Sequence, residues 1–325
     1  MLSLKKLNVL ALMLLLIPSG WLLADGSQTA ASPLKILMVL WRGETAAEQG
    51  FIDELQQQHV NLEITRINAN QDRNRLAEHL WKLAPSIEQF DTIYSFGTTA
   101  SVMTKSIIRG RAPQLYSMVS NPSEAGLTPD NPESPPLTGS TDAIPARLKL
   151  DFARQLFDIQ SIGFLFNSRE QNARVQLEEL EQLCEEWGIR LQILRVAPNS
   201  ESLENQLARL QAGNIEIDTL YLPSDSYIIS QSKVIMTALK QTPYKVIGAT
   251  ESSVRDGALL AIAPDYHALG RDLAQRLVAL KASHFRSHLA PITVENPRII
   301  YNEATRLRLN IQIPEALAGK MEPIQ

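Results

Sequence analysis

The sequence predicts an α/β protein made of two halves, each a parallel sheet with helices on its faces. Three observations carry that expectation. From Leu34 onward, short apolar runs alternate with segments of helical apolar spacing. The strands read as near-continuous apolar stretches, as strands covered on both faces do. After a proline-rich surface loop, Pro129 to Pro136, the alternation starts again, giving two series of ordinary domain size.

The elements follow in order. Leu34 to Trp41 is a strand, Arg42-Gly43-Glu44-Thr45 a turn, and Ala46 to Gln57 a helix with Phe51, Ile52 and Leu55 inward. Leu62 to Ile67 is a strand, and Asp72 caps a helix that runs to Leu83. Thr92 to Phe96 is a third strand ending in Gly97. Thr98, Thr99 and Ser101 then open a helix, with Thr98 as its simplest N-cap. Gln114 to Val119 is a fourth strand ending in Ser120-Asn121. The second series has helices at Pro145–Phe157, Glu170–Trp187, Ser202–Leu210 and Tyr227–Leu239, with strands at Ser161–Phe166, Arg190–Val196, Thr219–Leu222 and Lys245–Gly248. A short helix at Glu251–Asp256, a strand at Leu259–Ala263 and a long helix at Tyr266–Leu280 come next. Ile292 to Tyr301 is a late strand, and Glu303 to Leu307 a closing helical turn.

Composition narrows the function classes. With 44% hydrophobic and 20% charged residues the chain of 325 is globular and long enough for two domains. A net charge of −4 provides no basic surplus for nucleic acid. Residues 1–24 read as a signal peptide: Lys5 and Lys6, an apolar run from Leu7 to Ile17, and a cleavage position after Ala24. Pro18 and the short apolar core count against a membrane span, and an uncleaved anchor is the alternative. The product is therefore expected to be exported, periplasmic and soluble, not an integral membrane protein if the signal is cleaved. Cys184 is the one cysteine, so no intramolecular disulfide forms. Its place in the stripe Leu177-Leu180-Cys184-Trp187 makes it a buried small hydrophobe.

Chemical motifs are sparse. There is no glycine-rich dinucleotide fingerprint, phosphate loop or nucleophile elbow, so no cofactor and no enzymatic activity are expected. His284 and His288 have a spacing that suits a metal, but no cysteine or nearby carboxylate completes the set. A solvated connector is the better reading. What recurs is small polar and charged residues at strand ends: Arg42 and Glu44, Gly97, Thr98 and Thr99, Ser120 and Asn121, Asn167, Ser224 and Asp225. Asp142, Glu251 and Asp265 lie where the chain passes between halves. Each alone is turn chemistry. Together they fit a cleft between two lobes that receives a small ligand. The helix opening at Thr98 favours an anion there.

Several of these stretches carry a family likeness. Tyr116 to Leu127, Gly139 to Pro145, Ile162 to Asn167 and Tyr221 to Asp225 fall in order with Ser253-Val254-Arg255-Asp256-Gly257-Ala258. Asp265-Tyr266-His267-Ala268-Leu269-Gly270-Arg271 and Asn310-Ile311-Gln312-Ile313-Pro314 complete the series. The chain resembles ABC-transporter substrate-binding proteins related to tryptophan- and tyrosine-binding components, over about Leu34 to Leu317. The resemblance implies a type I periplasmic binding fold with two Rossmann-like lobes joined by three crossovers. Lobe 1 would hold residues 34–141 and 248–283, and lobe 2 residues 142–247 and 284–325. It implies a solute-binding protein for an amino-acid-like ligand, aromatic ones included, that closes about a hinge and serves an ABC permease. The alternative is a sensing module that presents its closed state to a membrane kinase or chemoreceptor. By the same resemblance Thr98 and Thr99 hold the ligand carboxylate, Asp225 and Glu251 are candidates for its ammonium group, and Asn121, Asp142 and Asn167 add hydrogen bonds. Trp41-Arg42-Gly43-Glu44 departs from the family pattern. Either Arg42 grips an anion and Trp41 stacks on a ring, or Trp41 is core and Arg42 pairs with Glu44.

Overall fold

In the computed structural model, β1 (Leu34–Leu40) is buried along almost its whole length, because helices cover both faces of its sheet. Residues 32–324 are described here apart from 130, 132 and 288, and residues 33–325 form one compact unit. The signal-peptide reading of residues 1–24, and one member of the His284/His288 pair, lie outside the described residues.

From β1 the chain passes through α1 (Ala46–Gln57), β2 (Leu62–Asn68), α2 (Arg73–Leu83) and a 3-10 turn at Ala84–Gln89. It continues through β3 (Thr92–Phe96), α3 (Thr98–Ile108), β4 (Gln114–Ser117) and β5 (Leu137–Gly139). These five strands form an all-parallel sheet in the order β2-β1-β3-β4-β5. The second series runs α4 (Ala146–Ala153), β6 (Ser161–Asn167), α5 (Gln171–Trp187), β7 (Arg190–Val196), α6 (Ser202–Gln211) and β8 (Thr219–Tyr221). It continues α7 (Ser226–Ser230), α8 (Ser232–Leu239), β9 (Lys245–Gly248), α9 (Glu251–Arg255) and β10 (Leu260–Ala263). After α10 (Tyr266–Ala282) come β11 (Arg298–Asn302), α11 (Glu303–Arg308), α12 (Glu315–Ala318) and β12 (Glu322–Ile324). The second sheet has the order β12-β11-β10-β9-β8-β6-β7, with only the β10–β11 pair antiparallel. This is the two-lobed type I periplasmic binding fold, and the chain crosses between lobes three times.

The second crossing falls later than the sequence reading placed it. β9 pairs with β8 and β10 with β9, so residues 248–263 stand in the second lobe, and the chain returns to the first at Pro264-Asp265. Sheet membership is a nonlocal property, and two short apolar strands around a five-residue helix do not announce it. The crossings are tied together. The Thr141 amide donates to the Ile292 carbonyl at 2.8 Å and the Ile292 amide to Gly139 at 2.8 Å, while Tyr266 Oη donates to Asp142 at 3.4 Å. Ile292 makes only an isolated bridge, to Ser140, and the late strand proper begins at Arg298.

Glycines explain part of the packing. A Cβ on Gly270 would lie 2.0 Å from the Ala47 carbonyl oxygen, and one on Gly50 2.1 Å from that of His267. Backbone contact between α1 and α10 thus requires both, and Gly270 belongs to one of the stretches that carry the family likeness. Leu269, Leu273, Leu277 and Leu280 of α10 join Leu34, Ile36, Phe51 and Leu55 in one core, fastening α10 to the first lobe. Cys184 is buried on α5, where burial pushes its thiol up to about 11.

Candidate functional site

The C-terminal ends of β1, β3 and β4 in one lobe face those of β6 and β8 in the other. At the end of β3, Gly97 takes φ 84°, a conformation that favours glycine, and turns the chain directly into α3. Gly97 is the N-cap, with no side-chain capping bond; Thr98 and Thr99 are the first two helical residues. The first-turn amides of α3 therefore lack intrahelical partners and point along the positive end of the helix dipole.

Trp41 and Arg42 stand beside that turn. Trp41 is a core residue, 5% exposed, packed with Leu37, Val39, Ile93 and Ala100. Its indole Nε1 crosses to the other lobe and donates to Glu170 Oε1 at 3.4 Å. Arg42 does not pair with Glu44, which instead accepts from Arg66 Nε at 2.5 Å. The Arg42 guanidinium lies 5.4 Å from the centre of the Phe96 ring, and its Nε is buried without a hydrogen-bond partner among the described residues. An unpartnered buried charged donor is costly unless something accepts from it.

The carboxylates around the cleft differ in what they already hold. Asp142 accepts from Ser120 Oγ at 2.8 Å; burial raises its carboxyl, against the pull of Lys149 and Arg42. Lys149 is itself buried, and burial lowers its ammonium to about 8. Asp225 caps α7, accepting from the amides of Tyr227 at 2.9 Å and Ile228 at 3.1 Å, and from that of Asn167 at 2.7 Å. Glu251 is clamped between Arg298, at 2.5 Å, and Arg255, at 3.0 Å. Asp265 caps α10 through the Ala268 amide at 2.9 Å. Asn121 and Asn167 hold turns, accepting from the amides of Glu124 and Arg169. Among the described residues Glu170, 5% exposed, has two long hydrogen bonds, from Trp41 Nε1 and the Ser226 amide, each at 3.4 Å.

Two cavities lie along this line. An inner one of about 20 Å³, room for roughly one water, is walled by Arg42, Phe96, Thr98, Thr99, Glu170 and Tyr266 among others. An outer one of about 770 Å³ lies within the range of small-molecule sites, about 300–1,000 Å³. Arg42, Ile229 and Tyr266 line both, so the outer cavity continues the inner one.

The sequence pattern described as ABC transporter substrate binding protein matches residues 37–322. The chain belongs to that family. A tyrosine-binding protein of Clostridioides difficile (strain R20291) is 24% identical over 273 residues, covering 82% of this chain and 77% of that protein. An ABC domain from Streptococcus pneumonia, solved in complex with L-Trp, superimposes with a TM-score of 0.80 at 19% identity, over 90% of this chain and 100% of that one. The ligand-free, open structure of a Clostridium difficile substrate-binding protein with adhesive properties gives 0.65 at 22% identity, over 90% and 99% of the two chains.

In this substrate-binding protein the inner cavity gathers Trp41, Arg42, Gly97, Thr98, Thr99, Asp142 and Ser224 from the sequence-predicted residues. Glu44, Glu251 and Asp265 line the outer cavity. Ser120 stands behind Asp142, and Asn121, Asn167 and Asp225 serve turns and caps outside both walls. The sequence reading missed Phe96, Met118, Glu170, Asn172, Ser226, Ile229 and Tyr266. Glu170 and Asn172 open a helix just beyond β6, as Thr98 does beyond β3. That repeated strand-end position was their available signal. Among the described residues no three His, Cys, Asp or Glu side chains could hold a metal, and no helix is long and apolar enough to cross a membrane.

Proposed function

We propose that the chain is an exported solute-binding protein which captures an amino-acid-like ligand between its lobes and presents the closed form to an ABC permease. The observation that carries the ligand class is the buried, unpartnered Nε of Arg42 beside the uncapped start of α3. Both offer donors to an anion, and a carboxylate accepts from a guanidinium and from helix amides without rearrangement. The tyrosine-binding relative and the L-Trp complex support aromatic amino acids as the first ligands to try. The inner cavity at about 20 Å³ takes only the head of such a ligand, whose body would extend past Tyr266 and Ile229 into the outer cavity as the lobes part.

Hinge closure is supported by direct bonds between the lobes: Trp41 to Glu170, and Gln171 Nε2 to the Glu124 carbonyl at 3.5 Å. A ligand that touches both lobes binds the closed form more tightly and biases the equilibrium toward it. The basic and apolar opening from Lys5 to Ile17 supports export. Titration calorimetry across the amino acids tests the reading. Arg42→Ala should weaken the best ligand about ten- to hundredfold, the effect of about 1.5–3 kcal/mol for a charged hydrogen bond. Unchanged affinity in that variant would remove the anion assignment.

A further inference from the structure

This inference rests on the amino-acid reading above and concerns which group recognises the ligand's amine. Six carboxylates stand in or beside the cleft, and their existing partners separate them. Asp225 is saturated by three backbone amides, as a helix cap is. Glu251 sits between two arginines and Glu44 on a third. Asp265 caps α10, and Asp142 is held by Ser120 and Tyr266 across the crossovers. Among the described residues Glu170 alone lies in the inner cavity with hydrogen bonds no shorter than 3.4 Å, although it is among their most buried carboxylates. Arg42 lines the same cavity, and its charge and that of Arg73 are felt at Glu170, but among the described residues neither makes a salt bridge to it. A carboxylate buried without strong donors is unstable as an ion, and an ammonium group brought by a ligand supplies what is lacking.

We propose that Glu170 is the residue that binds the ammonium group of the ligand and thereby makes the protein a receptor for α-amino acids rather than for carboxylic acids in general. The position of Glu170 gives this a mechanical meaning. The anion donors, Arg42 and the α3 amides, belong to the first lobe, whereas Glu170 precedes α5 in the second. A zwitterion therefore bridges the lobes through its two charges, and an acid without the amine engages one lobe only. The Trp41 indole, which donates to Glu170 from the first lobe at 3.4 Å, marks the side of the carboxylate that faces that lobe. Docking of the carboxylate and closure on the amine become separable events.

The test uses the full mature protein, the tightest-binding amino acid of the panel, and the same molecule lacking its amine, the 3-arylpropionic acid in the case of L-tryptophan or L-tyrosine. The wild type should bind the amino acid at least tenfold more tightly than the acid, and only the amino acid should lower the radius of gyration in X-ray scattering. Glu170→Gln keeps the shape and an acceptor for Trp41. It should bring the amino acid down to the affinity of the acid, leave the acid unchanged and abolish the compaction. Glu170→Asp, which keeps the charge on a shorter arm, should fall between them and guards against a folding defect in the amide variant. If Glu170→Gln binds the amino acid as the wild type does, the Glu170 assignment is overturned while the amino-acid reading stands. If the wild type binds no amino acid at all, that reading falls and this one with it.

Discussion

Asp225 and Glu170 are buried carboxyl groups whose charges are felt by one another. Burial first, and the Glu170 charge second, push Asp225 up to about 8, and burial raises Glu170 as well. In the unfolded chain an aspartate titrates near 3.9. Between about 4 and 8 the folded protein thus holds a proton that the unfolded chain has released. A folded state that binds more protons loses stability as pH rises, so this group favours folding more at pH 5 than at pH 8. Urea midpoints of the wild type and Asp225→Asn at pH 5, 6.5 and 8 measure it: the wild type should gain on the variant as the pH falls. A constant gap would show that Asp225 titrates normally. Nothing in the linear order of residues hints at this. Asp225 reads as a turn residue and as a ligand contact with equal ease, and its capping bonds to Asn167, Tyr227 and Ile228 decide between them. Arg42 was likewise open between anion and Glu44, until Arg66, on the neighbouring strand, took Glu44.

The elements themselves were largely legible, because a strand covered on both faces and an amphipathic helix differ sharply in apolar period. Helix α1 at Ala46–Gln57 and strand β3 at Thr92–Phe96 have the bounds their sequences announce. Strands β5 and β12 escaped notice, being three residues each, one following prolines and the other containing Pro323. The helix at Tyr227–Leu239 divides at Gln231, which ends α7 and begins α8. A glycine within a helix carries a further message, since it marks where another backbone passes. With the Ala47 oxygen only 2.0 Å from the place of a Cβ, Gly270→Ala must move α10 away from α1. The variant should lose about 1–3 kcal/mol, as overpacked cores do. In urea this appears as a lower midpoint with an unchanged slope. An unshifted midpoint would mean that the two helices separate without cost.

For the molecule as a whole, the strand ends of two sheets form one cleft, and this much of the site could be read from the sequence as a repeated pattern of small polar residues. The choice among them could not, because which carboxylate is free depends on partners up to 129 residues apart, as Trp41 and Glu170 are. The proposed closure is a whole-molecule property, and so is its signature. Ligand at a hundredfold excess over its Kd should add about 2.7 kcal/mol to stability, visible as a higher Tm in calorimetry together with the smaller radius of gyration. A rise in Tm with no compaction would assign binding to a site outside the cleft.

The return of the chain to the first lobe for α10 has a consequence for how the protein comes to be folded. All five strands of that lobe are complete by residue 139, yet the helix that covers α1 and β1 begins at Tyr266. Whether the chain emerges from a ribosome or from an export channel, amino end first, some 130 residues must follow the last strand before that apolar face is covered. The second lobe, interposed between them, forms nearly its whole parallel sheet in the interval. The first lobe is therefore among the last parts to be finished, and until α10 arrives the apolar face of α1 and β1 lacks its cover.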